Sequence, residues 1–413
     1  MRFEPRHLIK GDRVIWSIFF FLCLISLVEV FSATSTLVYK QGVWGPILKH
    51  AVFLGVGAIL IVIVQNIPYN IFKVAIPLGL PVAIFCLGLV LVMQKMTNGA
   101  ARWLDIGPFQ FQPSEMAKGV AVIFVANTLA VYARNKEGYA TKALKIIAIG
   151  VLPILVLIFP ENLSTAVILS TVIVVMLFVG RIPNKQMYFI LLSILGGITL
   201  MATLIFAVPT QVYEKLEEKL PPAAFITHRF ETWHNRLASH QDDDNVAKLD
   251  PYGKDAQRMH ANIAIATSNV LGKVPGNSVE RDFLSQAYSD FIYAIIVEEL
   301  GLLGGVFVVI LYIFLLIRAA KIARMCTEPF PAYLVIGLTL LIVIQALMNM
   351  MVAVGLMPVT GQPLPLISRG GTSTLFNCIY IGMILSVSRA VRKHLRKSKK
   401  NLKSLSETES EKK

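Results

Sequence analysis

Three carboxyl groups fall within one short stretch, SQAYSDFIYAIIVEELGLLGG (Ser285 to Gly305), at the head of what reads as a membrane helix: Asp290, Glu298 and Glu299. An ionised side chain at the centre of such a helix costs on the order of 3 kcal/mol even on a lenient insertion scale, so these acids need partners or a wet cavity. At about 100° per residue, Glu298 lies roughly 80° around a helix from Asp290 and Glu299 nearly opposite it, so the three cannot all serve one site. Asp290, at the outer end, is the candidate general base. A carboxylate partly desolvated at a membrane-water boundary gains basicity and suits removal of a proton from an alcohol. The same residue also reads as the N-cap of the helix. Glu298 and Glu299 are assigned mainly to pairing between helices.

Two further clusters carry chemistry. In the first, Arg102 and Trp103 precede Gln112, Pro113, Ser114, Glu115 and Lys118, and the spacing of three puts Glu115 and Lys118 on one helix face. They read either as a self-paired surface couple or as a site in which Lys118 and Arg102 offer positive charge to a phosphate-bearing lipid, with Glu115 orienting the lysine. In the second, VTGQPLPLISRGGTS (Val359 to Ser373), Gly361, Pro363, Pro365, Gly370 and Gly371 forbid a regular helix. Irregular backbone at membrane depth is tolerated only when buried in protein or lining a cavity. A cavity wall is the expectation, with Ser368, Arg369 and Thr372 available to bond a sugar or phosphate; the alternative is a plain re-entrant turn.

The elements that must position these residues follow from composition. The 413 residues are 55% hydrophobic and only 15% charged, with a mean hydropathy of +0.65. Such a chain is a polytopic membrane protein. Apolar runs long enough to cross about 30 Å of hydrocarbon occur at residues 14–36, 48–66, 71–93, 114–133, 143–160, 163–180, 187–208, 290–318, 332–356 and 372–388. The fold class expected is therefore all-α, with about ten spans.

Charge sets the orientation. The net charge is +14, and the tail from Arg389 to Lys413 holds ten Lys or Arg against three Glu, whereas residues 209–287 hold nine against eleven acids. Basic residues on the cytoplasmic side put both termini inside, which gives a cytoplasmic segment 1–13, a membrane domain 14–388 with a large outer loop 209–287 between helices seven and eight, and a basic tail 389–413 expected to be disordered. Short helices at the interface, anchored by Trp233, are expected in the outer loop.

Several classes are excluded. The basic run lacks interleaved aromatics for stacking bases, so nucleic acid is not a partner. No phosphate-binding glycine loop is present, so no nucleotide cofactor is expected. The four cysteines have no short paired spacing. Asp242, Asp243 and Asp244 match a DxD element only formally, and His228, His234 and His240 lack metal-ligand spacing.

NGAARWLDIG...QPSEMAK, the long outer loop, GNS...YSDFIYAIIVEELGLLGG and LPLISRGGTS come in an order that resembles the shape, elongation, division and sporulation (SEDS) family over residues from about 10 to 390. The resemblance implies a ten-helix peptidoglycan glycosyltransferase of the cytoplasmic membrane, with the division branch favoured over the elongation branch and so a place at the septum. It implies polymerisation of lipid II with release of undecaprenyl pyrophosphate, a class B penicillin-binding protein and other division proteins as partners, and a divalent cation, Mg or Mn, whose ligands are not readable. It makes Asp290 catalytic, taking the proton from the acceptor's 4-hydroxyl as that oxygen attacks the donor's anomeric carbon with inversion. Arg102, Trp103, Gln112, Ser114, Glu115, Lys118, Gln257, Ser368, Gly370 and Gly371 are carried over as substrate-binding, with Arg369 and Arg229, in HRFETWHNR, grouped beside them.

This chain departs from the family pattern at three places. PENLSTA stands where relatives read PDLGTA, placing Asn162 at the aspartate, whose role is then either structural or taken over by Glu161. Arg369 replaces a tyrosine before Gly-Gly, and KDAQRMHANIAIA leaves Gln257 as the one match in its segment. A lipid II flippase, or a non-catalytic division scaffold, remains open as the alternative.

Overall fold

The computed structural model describes residues 10–33, 44–93, 96–97, 100–101, 103–106, 109–132, 138–207, 256–284 and 287–410. Twelve α-helices are described: α1 (Arg13–Ala33), α2 (Trp44–Val64), α3 (Tyr69–Val74), α4 (Ile76–Met93), α5 (Pro113–Tyr132), α6 (Tyr139–Glu161), α7 (Leu163–Val179), α8 (Asn184–Ala207), α9 (Ala256–Ala266), α10 (Ile292–Arg324), α11 (Pro329–Ala353) and α12 (Thr372–Ser410). Among the described residues eight helices are long and apolar enough to cross a membrane. The other two expected spans are helical as well, as the 17-residue α7 and the 24-residue α8.

Many large apolar side chains on these helices point outward, among them Phe20, Leu78, Phe85, Val92 and Ile149. That outward surface fits lipid, and the chain is a multi-pass membrane protein. Small residues let the helices approach. A Cβ on Gly57 of α2 would lie 2.5 Å from Cys378 Sγ of α12, and one on Gly119 of α5 would run into the Tyr380 ring. The polar core is built where α5, α10 and α11 pack together with the loop between α11 and α12.

Three details differ from the sequence expectations. Two short antiparallel hairpins, β1–β2 (Met96–Thr97 with Ala100–Ala101) and β3–β4 (Leu104–Ile106 with Phe109–Phe111), precede α5. Leu-Asp-Ile and Phe-Gln-Phe alternate in the two-residue period of a strand on either side of Gly-Pro. The tail is not a separate disordered segment: α12 runs without interruption through residue 389 to Ser410. Finally, α10 is broken at Gly301 (φ 73°, ψ −176°), a backbone state open only to glycine.

The break is stitched by the loop that follows α9. Lys273 N and Val274 N donate to the carbonyls of Glu298 and Glu299 (3.0 and 2.9 Å), while Leu302 N donates to Asn269 O (3.1 Å). Helical groups freed by the break therefore find partners. At the opposite end Asp12 caps α1 through Val14 N (2.9 Å) and binds Arg318 of α10 (2.6 Å) and Arg392 of α12 (2.8 Å).

Candidate functional site

Asp290 lies in a turn just ahead of α10. It is not the N-cap: that position belongs to Phe291, which makes no side-chain cap bond. The turn is instead fastened from outside. Ser368 Oγ donates to Ser289 O (2.6 Å) and accepts from Leu364 N (2.7 Å), and Arg369 N donates to Tyr288 O (3.0 Å). The Arg369 guanidinium stands 5.5 Å from the centre of the Tyr288 ring, a cation resting on an aromatic face. Ser289 Oγ donates to Asp290 Oδ1 (3.0 Å).

The irregular loop adopts the buried alternative over Leu364 to Ser368, packed inside the bundle. Gly371 has φ +53°, and a Cβ on Gly370 would come within 2.3 Å of Ser373 Oγ. The two glycines thus act on the backbone path that presents Arg369.

Glu115 and Lys118 do pair, at 2.8 Å, but inside the protein: their side chains are 2% and 0% exposed, which rules out a surface couple. Lys118 Nζ also donates to Gln345 Oε1 of α11 (2.8 Å), and Gln345 Nε2 donates to Pro363 O (3.2 Å). One turn further along α11, Asn349 Nδ2 donates to both Asp290 O and Gln362 O (2.8 Å each). Gln362 Nε2 in turn donates to Thr165 Oγ1 (3.1 Å), and Thr165 N to Asn162 Oδ1 (3.2 Å), so Asn162 is the N-cap of α7. Glu115, Lys118, Asn162, Asp290, Ser368 and Arg369 are therefore members of one bonded system.

Gln345, Asn349, Gln362 and Thr165 escaped the sequence reading. A signal was present for the first two: amides four apart on an otherwise apolar spanning helix, where a polar group needs a partner. Gln112 and Ser114 are buried at the start of α5, with Gln112 O accepting from Glu115 N (3.2 Å), while Trp103 is half-buried beside the second hairpin and Gln257 half-buried on α9. Arg102 and Arg229 lie outside the described residues, as do Trp233, the aspartate run and the three loop histidines.

The glutamates pair mostly with the loop after α9 rather than with other spanning helices. Glu298 takes Lys273 Nζ (2.7 Å), Ser278 Oγ and Val279 N (3.1 Å). Glu299 takes Ser278 N (3.2 Å) and, from α1, Ser32 Oγ, with Arg281 Nη1 at 3.9 Å. Among the described residues no three of His, Cys, Asp and Glu converge to hold a metal ion.

An apolar bundle with a buried polar network under a glycine-rich loop defines a polytopic membrane protein with a candidate site at one end of its helices. The chain belongs to the FtsW, RodA and SpoVE family of cell cycle proteins, which matches residues 12–393. A protein of Halomonas elongata is 30% identical over 91% of this chain and 90% of its own length, and one of Saccharophagus degradans is 29% identical over 88% and 89%. Both bear the name "Probable peptidoglycan glycosyltransferase FtsW". Among solved structures, a chain from a study of polymerization and crosslinking by a peptidoglycan synthase complex superposes with a TM-score of 0.66 at 24% identity, covering 92% of this chain and 98% of its own. RodA of Thermus thermophilus superposes at 0.61 with 21% identity, covering 92% and 97%.

Proposed function

We propose that this protein is a peptidoglycan glycosyltransferase that polymerises lipid II into β-1,4 glycan strands at the division septum, in the cytoplasmic membrane. Relatives named for that activity align with about nine tenths of the chain. The observation that carries the reading is the tethering of the Tyr288–Ser289–Asp290 turn to the loop that presents Arg369. Arg369 N is anchored on Tyr288 O, two residues before Asp290, so a half-buried cation and a half-buried carboxylate belong to one tethered assembly.

Asp290 takes the proton from the acceptor's 4-hydroxyl, the oxygen bonds to the donor's anomeric carbon, and the bond from that carbon to phosphate breaks with inversion. Undecaprenyl pyrophosphate leaves carrying the bond's electron pair. Lys118 is held by Glu115 and Gln345, so its charge is already balanced. Arg369 is the cation better placed to meet the departing charge. A class B penicillin-binding protein and other division proteins are the proposed partners.

The test is Asp290→Asn in the purified full chain with its transpeptidase partner, supplied with lipid II. Glycan chain formation should fall by at least about 100-fold, the lower range for a lost general base. Undiminished chains would remove Asp290 from this role. Lipid II flipping in liposomes, measured alongside, should not follow the loss; if flipping alone tracks the substitution, the protein is a transporter.

A further inference from the structure

We infer that Gln345 and Asn349 of α11 form a bracket that holds the Asp290 turn and the Lys118–Glu115 pair in register, and that they are positioning residues for the transfer reaction. The inference rests on the function proposed above.

The two amides are four residues apart, so they stand one above the other on a single helix face. Both side chains are buried, in a helix whose length and hydropathy otherwise suit lipid. Burying an amide without partners is costly, so their bonds specify where the neighbouring elements sit. Gln345 reads α5 with its oxygen, through Lys118 Nζ, and the loop with its nitrogen, through Pro363 O. Asn349 uses its nitrogen twice, on Gln362 O of the loop and on Asp290 O of the turn.

Two carbonyls from segments more than 70 residues apart in sequence, 290 and 362, thus meet on one amide. The ties of the turn through Ser368 and the Arg369 amide reach the loop rather than α11. Without Asn349, turn and loop stay joined to each other and the loop keeps its Gln345–Pro363 bond to α11, but the turn loses its direct bond to that helix. The Asp290 carboxyl would then reach the wrong place while the surfaces that hold substrate stay intact. Misplacement of about 1 Å can lower a rate about 100-fold, and that loss belongs to kcat.

The experiment compares Asn349→Ala, Asn349→Asp and Gln345→Glu in the purified full chain with its partner, measuring kcat and KM for lipid II, the pH profile of kcat, and thermal unfolding. Asn349→Asp keeps the volume but removes the donor, and Gln345→Glu keeps an oxygen for Lys118 but removes the donor to Pro363. Both Asn349 variants should lose about 10- to 100-fold in kcat with KM nearly unchanged and with an altered pH profile; Gln345→Glu should lose less. An unchanged kcat in the Asn349 variants overturns the bracket, as does a loss that merely follows the folded fraction. Failure of the wild-type protein to make glycan would instead sink the function on which the bracket rests.

Discussion

Asn162 stands where the family pattern has aspartate, yet its side chain accepts from Thr165 N at the start of α7, a bond that aspartate makes equally well. The cap bond therefore does not depend on which of the two residues stands there. Asn162→Asp should preserve thermal stability and glycan synthesis, whereas Asn162→Ala should lose about 1 kcal/mol of stability, as uncapped helices do. Thermal unfolding in detergent separates the two. Lys118 poses the sharper question, because its charge and that of Glu115 are buried together. Lys118→Met leaves the glutamate alone in the interior, with an expected loss of about 3–5 kcal/mol. Adding Glu115→Gln should restore much of it, and a double variant no more stable than the single one would mean that the pair contributes little. Asp290, Glu115, Lys118 and Ser368 were legible in the sequence because ionisable groups and glycine-rich turns stand out against apolar runs. Gln345 and Asn349 showed only as two amides four apart on an apolar helix, and Gln362 not at all, since the carbonyls and hydroxyl that these amides meet are distant in sequence.

At the scale of elements, the break in α10 decides how the acids are served. From Leu302 to Arg318 the helix covers about 25 Å at its ordinary rise, which places Glu298 and Glu299 near the far end of the bundle from the Asp12 cluster, within reach of Lys273, Ser278 and Arg281. Two glycines make the stitch possible. A Cβ on Gly301 would sit 2.2 Å from Val270 O, and one on Gly272 2.3 Å from Glu299 O, with both residues at positive φ. Gly301→Ala should therefore cost at least about 1–3 kcal/mol from backbone strain alone. Hydrogen exchange should then report faster opening of Lys273 and Val274 than of α11, and equal protection in both proteins would refute the coupling. EELG within an apolar run gave no hint of this break. Glycine is tolerated inside membrane helices, and what separates a tolerated glycine from a hinge is a loop that folds back from elsewhere.

At the scale of the whole molecule, the ten apolar segments could be read directly, because spanning length is a property of composition. The way the ends close could not. Asp12 joins residues 306 and 380 positions away, through Arg318 and Arg392. Burial acts to raise its pKa, but the hydrogen bond and charges of the two arginines outweigh it and hold the carboxyl below its ordinary 3.8. A lowered folded-state pKa stabilises above the unfolded value and is lost as pH falls through the folded one. Thermal stability should thus fall below about pH 4, and Asp12→Asn should remove that part of the acid sensitivity while lowering stability at pH 7. Equal acid curves for both proteins would count against the clasp. One further consequence follows from α12, a single helix of 39 residues beginning next to the glycines that present Arg369. Its length is about 58 Å, nearly twice the hydrocarbon thickness. One unbroken run of helical hydrogen bonds therefore links its distal turns, as the arm of a lever, to the backbone beside Arg369.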